Sequence, residues 1–171
     1  VLVLLPSAVY AKTEVKTNEE LKAATKNGGD IVLQNDIVLT DDITVKGQNI
    51  SIDLNGNTIT LKAYIDVFEG SLEFKGNGLI KDDREDTNAT IYVYGSADSK
   101  AVAFATLTVG KDVKIETKRY GITVWPCEVN KKAVPTYGTV VNFNGTIIST
   151  NKNAGAITIN GNIQNNGKLE N

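Results

Sequence analysis

Period-two alternation of β-branched residues, broken by glycine turns, runs through the chain from Asp30 onward and constrains its fold more than any other feature. Segments 31–33, 37–39, 43–45 and 50–54 are short apolar runs separated by Asn, Asp, Gly and Gln. A larger unit then recurs at 51–60, 72–81, 107–116, 140–149 and 157–163: a short strand, a glycine turn, a second short strand. The turn glycines stand at 56, 76, 110, 145 and 161, giving intervals of 20, 34, 35 and 16 residues. Unequal intervals rule out a strict tandem repeat and suit a solenoid whose coils carry insertions, at 82–90, 95–101 and 126–137. A β-sandwich of hairpins is the competing reading, because Asn-Gly also marks hairpin turns. The solenoid is preferred because the apolar alternation continues directly past several turns. The long gaps also hold a second strand class, 91–94 and 122–125.

One helix stands out before the strands begin. Thr17 and Glu20 have the spacing of a capping box, and Leu21, Ala24 and Thr25 fall on one face. Asn27, Gly28 and Gly29 then stop it, predicting a helix over 18–27. Residues 1–11 are apolar and end in small residues around Ala11, as the tail of a secretory signal does. The same run also fits a first strand, against which Pro6 counts. It is too short to span a bilayer, which takes about 20 apolar residues. The expected organisation is a leader remnant at 1–11, a cap with its helix at 12–29, and β coils at 30–171. The uncapped end at 164–171 leads us to expect further coils beyond it.

Residues 20–24, 28–31, 36–39 and 52–59, with the later pieces 143–147 and 156–161, resemble exported bacterial proteins of the pectate-lyase-like, right-handed parallel β-helix superfamily. The resemblance covers most of 17–171. It implies an all-β, right-handed parallel β-helix whose amphipathic helix covers the open end of the first coil. It implies fold far more than activity, because that superfamily holds lyases, glycosidases, adhesins and passive stalks.

Composition removes several chemistries. The chain has no histidine, which excludes Ser-His and Cys-His nucleophiles and His-ligated metals. Its single cysteine, Cys127, excludes an internal disulfide and Cys-rich metal sites. A net charge of -2 gives no electrostatic footprint for nucleic acid.

Three groups of residues remain to be weighed. The acids Asp82, Asp83, Glu85 and Asp86 are weak candidates for Ca²⁺, which takes six to eight oxygen ligands. The lyases of the resembled superfamily hold calcium with acids and use a nearby Arg or Lys as base. Here the acids are sequential and carry Arg84 among them, so a solvated charged loop without a bound ion is preferred. Asp53, Asp66, Asp82, Asp83 and Asp112 are carboxylates that a glycosidase pair would need, and Arg119 is a lyase-base candidate. The recurring Asn55, Asn77, Asn144 and Asn160 read as turn residues that tolerate left-handed geometry.

The aromatics name the one candidate binding site. With Ile91, Val93, Ile122 and Val124 inward, alternation sends Tyr92, Tyr94 and Trp125 outward. On stacked strands about 4.8 Å apart these rings would make one platform for sugar rings. In the competing arrangement the 126–137 insertion folds over Trp125 and buries it. The expected function is therefore non-catalytic: a secreted or cell-surface β-helix segment for adhesion, for binding a polysaccharide or a host or cell-surface glycan, or for projection as a stalk. The alternative is a polysaccharide lyase or glycoside hydrolase whose catalytic rungs are incomplete in this chain.

Overall fold

The computed structural model describes residues 12–94, 96–97, 102–125, 127–129, 132–134, 138–159, 162–165 and 167–170. The apolar segment 1–11, Asn160, Gly161 and parts of 95–101 and 126–137 lie outside the described residues.

Strands pair in parallel in both main sheets, one of ten strands and one of six. Among the described residues, antiparallel pairing is confined to two short hairpins, Ser96–Ala97 with Val102–Ala103 and Cys127–Val129 with Lys132–Val134. The second hairpin falls within the insertion expected at 126–137, and the first starts in that expected at 95–101 and ends just beyond it. The sandwich of hairpins is overturned at the Asn-Gly turn itself. A hairpin would pair the strands that flank it, yet Ile43–Asp53 joins the ten-stranded sheet and Thr58–Leu61 the six-stranded one.

Register explains why the alternation is so regular. Ile31, Ile52, Phe74, Val109 and Asn142 occupy one row of paired positions. Ile37, Ile59, Ile80, Ile115 and Ile147 occupy a second, and Ile43, Ile65, Ile91, Ile122 and Ile157 a third. Each step along a row advances one unit of the chain, so a slip of one residue would turn a whole row of Ile and Val into water. The inward side chains of both sheets form one hydrophobic cluster, in which Ile52, Phe74, Leu107 and Ile115 have no exposed surface.

The segments 43–45 and 50–54, expected as separate strands, form a single strand, Ile43–Asp53, with register shifts on either side of Lys46. Its partner Ile65–Lys75 is equally long and bends at Gly70. There φ is +84° and a Cβ would lie 2.1 Å from the Gln48 carbonyl oxygen, so only glycine lets the backbones approach this closely. Each long strand thereby serves the third row with its first half and the first row with its second.

The turn asparagines are structural. Asn55 and Asn144 have φ of 50° and 60°, and Asp112 takes the same left-handed position with φ 64°. Asn55 Nδ2 donates to the Leu33 carbonyl at 3.0 Å, and Asn57 Nδ2 to the same oxygen at 3.2 Å, tying neighbouring turns together. Asn77 departs from this pattern: it is absent from the left-handed positions, and its carbonyl accepts from Gly56 N–H at 2.6 Å.

The helix spans Asn18–Asn27 and buries Leu21, Ala24 and Thr25. Thr17 Oγ1 accepts from Glu20 N–H at 3.2 Å. The returning bond reaches one residue further than a standard box, with Glu20 Oε2 accepting from Lys16 N–H at 2.6 Å. At the far end Gly28, with φ +75°, donates its N–H to the Ala24 carbonyl at 3.2 Å. Lys22 and Asn18 both bond the Asp41 carboxylate, anchoring the helix over the turn that precedes Ile43–Asp53.

Candidate functional site

Strands Ala89–Val93 and Tyr120–Val124 pair in parallel with Ile91 opposite Ile122 and Val93 opposite Val124. All four of these side chains are buried, which turns Tyr92 outward. Trp125 N–H donates to the Val93 carbonyl at 3.0 Å, which continues the ladder and sets the indole beside the tyrosines. Trp125 is 53% exposed, so it is not folded into the core. Its ring meets Tyr92 edge-on at 6.4 Å, and Tyr92 stacks on Tyr94 at 5.8 Å. The structure thus brings together all three rings singled out from the sequence, within the range of aromatic pairs.

Two further rings belong to the same face. Phe68 stacks on Tyr94 at 4.4 Å with planes 6° apart, and Tyr64 lies 6.5 Å from Tyr92. Ile65 and Val67 are the row partners of Ile91 and Val93, so Tyr64 and Phe68 fall on the outer face by the same alternation. The signal was present as Tyr64-Ile65-Asp66-Val67-Phe68, with aromatics bracketing an inward Ile and Val. The tyrosines are held from beneath. Tyr92 OH accepts from Ala89 N–H at 3.0 Å, and Tyr64 OH accepts from Asn88 Nδ2 at 3.3 Å.

Asp66 sits among these rings, in register with Tyr92. Its carboxyl is pushed up to about 6, first by half-burial and then by the nearby Asp42. The Tyr94 phenol is pushed up to about 12 by burial, with Asp66 and Tyr92 adding to it. A carboxyl raised in the folded state binds its proton more tightly there than in the unfolded chain. Its ionisation therefore lowers stability as pH rises from about 4 to 6, and the loss is complete above that window. Asp66→Asn should remove the loss. After discounting for solvent screening at this half-exposed position, we expect about 1 kcal/mol of gain at pH 7. Thermal unfolding at several pH values checks it: the advantage of the variant should grow between pH 4 and 6. Parallel curves would show that Asp66 carries no ionisation penalty.

The acidic segment is a charged loop over 83–88, as expected, but its first acid, Asp82, is buried. Asp82 closes the strand Gly78–Asp82 and is 1% exposed, because it shares parity with the inward Ile80. Its Oδ1 accepts from Arg84 Nε and its Oδ2 from Arg84 Nη2, both at 2.9 Å, while Arg119 Nη1 reaches Oδ2 at 3.3 Å. Arg119 has no exposed surface. It also donates through Nε to Asp86 Oδ1 at 2.6 Å, and both guanidiniums lie over the Tyr64 ring, at 4.8 and 5.2 Å. Burial alone would raise the Asp82 carboxyl, but the two arginines hold it below the ordinary carboxylate value. Asp83 and Glu85 do face solvent, paired to Lys81 at 2.7 Å and Lys118 at 3.0 Å. The insertion set at 82–90 shortens to 83–88, since Ala89 and Thr90 are buried in the next strand.

Each acid of this segment has a basic partner: Arg84 and Arg119 for Asp82, Lys81 for Asp83, Lys118 for Glu85 and Arg119 for Asp86. Among the described residues no group of three or more His, Cys, Asp or Glu could hold a metal ion. Of the remaining carboxylates, Asp53 accepts from Asn55 N–H at 3.0 Å and so shapes its own turn. Arg119, the candidate base, is committed to Asp82 and Asp86. Among the described residues no helix is long and apolar enough to cross a membrane. No family model, curated protein or solved structure matches the chain.

Proposed function

We propose that this chain forms a right-handed parallel β-helix, exported to the cell surface or beyond it, whose aromatic face binds glycan without performing chemistry on it. The three rows of in-register Ile and Val support the β-helix, since each row is revisited once per unit of chain. Export rests on the leader-like composition of 1–11. Glycan binding rests on one observation above all: Trp125, 53% exposed, stands edge-on to the Tyr92–Tyr94 stack on a sheet face. Sugar rings present C–H faces that pack on such surfaces while their hydroxyls stay hydrated. Asp82 and Arg119, buried and paired with each other, are not placed to serve as acid and base of a lyase or hydrolase.

An open, shallow face binds weakly because exposed stacking contributes little and association is itself costly. Micromolar-to-millimolar affinity for a polysaccharide is expected. Trp125→Ala should weaken it by about tenfold or more, while the thermal midpoint stays near that of the parent. Affinity electrophoresis in gels carrying neutral, amino and acidic polysaccharides measures this. Retention by none of them, or equal retention of parent and Trp125→Ala, would defeat the proposal.

A further inference from the structure

We infer that the glycan held by this face bears free amines, so that Asp66 pairs with an ammonium group among the aromatic rings; this rests on the glycan-binding reading above. Asp66 lies two residues from Tyr64 on one side and from Phe68 on the other, and all three project from the same face. Across the strand it stands opposite Tyr92, and the Tyr92–Tyr94–Phe68 stack completes the surroundings. Among the described residues nothing donates a hydrogen bond to its carboxylate and no Lys or Arg pairs with it. The nearby charge is of the same sign: Asp42, whose own Oδ1 accepts from Tyr64 N–H at 2.8 Å. Two cations at the Tyr64 end of this face, Arg84 and Arg119, are taken by Asp82 and Asp86.

A half-buried carboxylate without a counter-charge, ringed by π faces, favours one class of ligand group. An ammonium gains attraction from the carboxylate and from the negative faces of the rings together. A neutral hydroxyl gains a hydrogen bond only. A uronate meets Asp66 and Asp42 with like charge and is repelled. The occupant that fits is therefore an amino-sugar polymer with unacetylated nitrogens, and a pectate-like acid polymer is the one most disfavoured.

Isothermal titration of the full chain at pH 7 tests this with three probes: the β-1,4-linked glucosamine hexamer, its fully N-acetylated counterpart and hexagalacturonate. The glucosamine hexamer should bind about tenfold more tightly than the acetylated one, and hexagalacturonate should bind least. Added salt should weaken the amine-bearing ligand alone. Asp66→Asn, which is expected to fold at least as stably as the parent, should bring the two glucosamine-based ligands to equal affinity. Equal binding of both by the parent, or preference for galacturonate, overturns the inference while leaving the glycan-binding reading in place. An amine preference unchanged in Asp66→Asn also overturns it. Binding of none of the three, with no retention by any polysaccharide gel, defeats both.

Discussion

Asp82→Ala is expected to lower the unfolding free energy by about 3–5 kcal/mol, the cost of leaving a buried charge without its partner. Arg119 has no exposed surface and would keep Asp86 together with the ring and hydroxyl of Tyr64. Arg84 would lose three bonds to the carboxylate, from its Nε, its Nη2 and its backbone N–H, and keep the Ala63 carbonyl, 2.8 Å from Nη2. The surroundings cannot adapt easily, because the corner is already knit by hydroxyls. Thr90 Oγ1 and Thr117 Oγ1 lie 2.7 Å apart, and Ser149 Oγ donates to the Arg119 carbonyl at 2.8 Å. Urea denaturation of the parent and variant measures the loss. Removing both charges in Asp82→Leu/Arg119→Met should restore much of it, since the penalty lies in the unpaired ion and not in the absence of a salt bridge. A loss below about 1 kcal/mol in the single variant would mean that Arg119 does not depend on Asp82. The pH dependence has the sign opposite to that of Asp66. The Asp82 carboxyl is lowered in the fold, so its contribution is complete above about pH 4 and is lost as pH falls through the lowered folded value.

Leu21→Ala should cost about 2–5 kcal/mol and should also promote self-association. Leu21 is wholly buried, and its helix packs on Thr13–Val15, Gly29–Leu33 and Ile43–Asp53. Among the described residues, Thr13–Val15 is the terminal strand of the ten-stranded sheet and pairs only with Gly29–Leu33. The helix adds Leu21 and Ala24 to the hydrophobic cluster beside that strand. Truncating its largest buried side chain loosens this packing and opens strand edges to other chains. Denaturant titration gives the stability term, and sedimentation velocity at increasing concentration gives the association. A variant that loses less than about 1 kcal/mol and sediments like the parent would show that the helix is not a cap.

The alternation of Ile and Val is a local property, and it determined the face of each strand without help from the rest of the chain. Capping chemistry at Thr17 and Gly28 bounded the helix at 18–27 in the same local way. Tyr92, Tyr94 and Trp125 were legible as outward neighbours because their two strands share one pattern, Ile-x-Val followed by an aromatic. Other features depended on pairings between residues far apart in the chain. Ile65 and Ile91 are row partners across an irregular spacing, so the local pattern at 64–68 marked Tyr64 and Phe68 as outward but did not show that they join the face of Tyr92. The continuity of Ile43–Asp53 through its bulge was hidden for a similar reason: its Lys-Gly-Gln-Asn interruption reads as a turn, and only the parallel partner Ile65–Lys75 holds it extended. Asp82 is the clearest case. A run of acids reads as solvated because burying a charge is costly, and the cost is met only by Arg84 nearby and by Arg119, 37 residues further along. Parity and turn chemistry act over a few residues and can be read from the sequence. Inter-strand register and the pairing of buried charges are set by packing across whole units of the chain, so only the tertiary structure decided them.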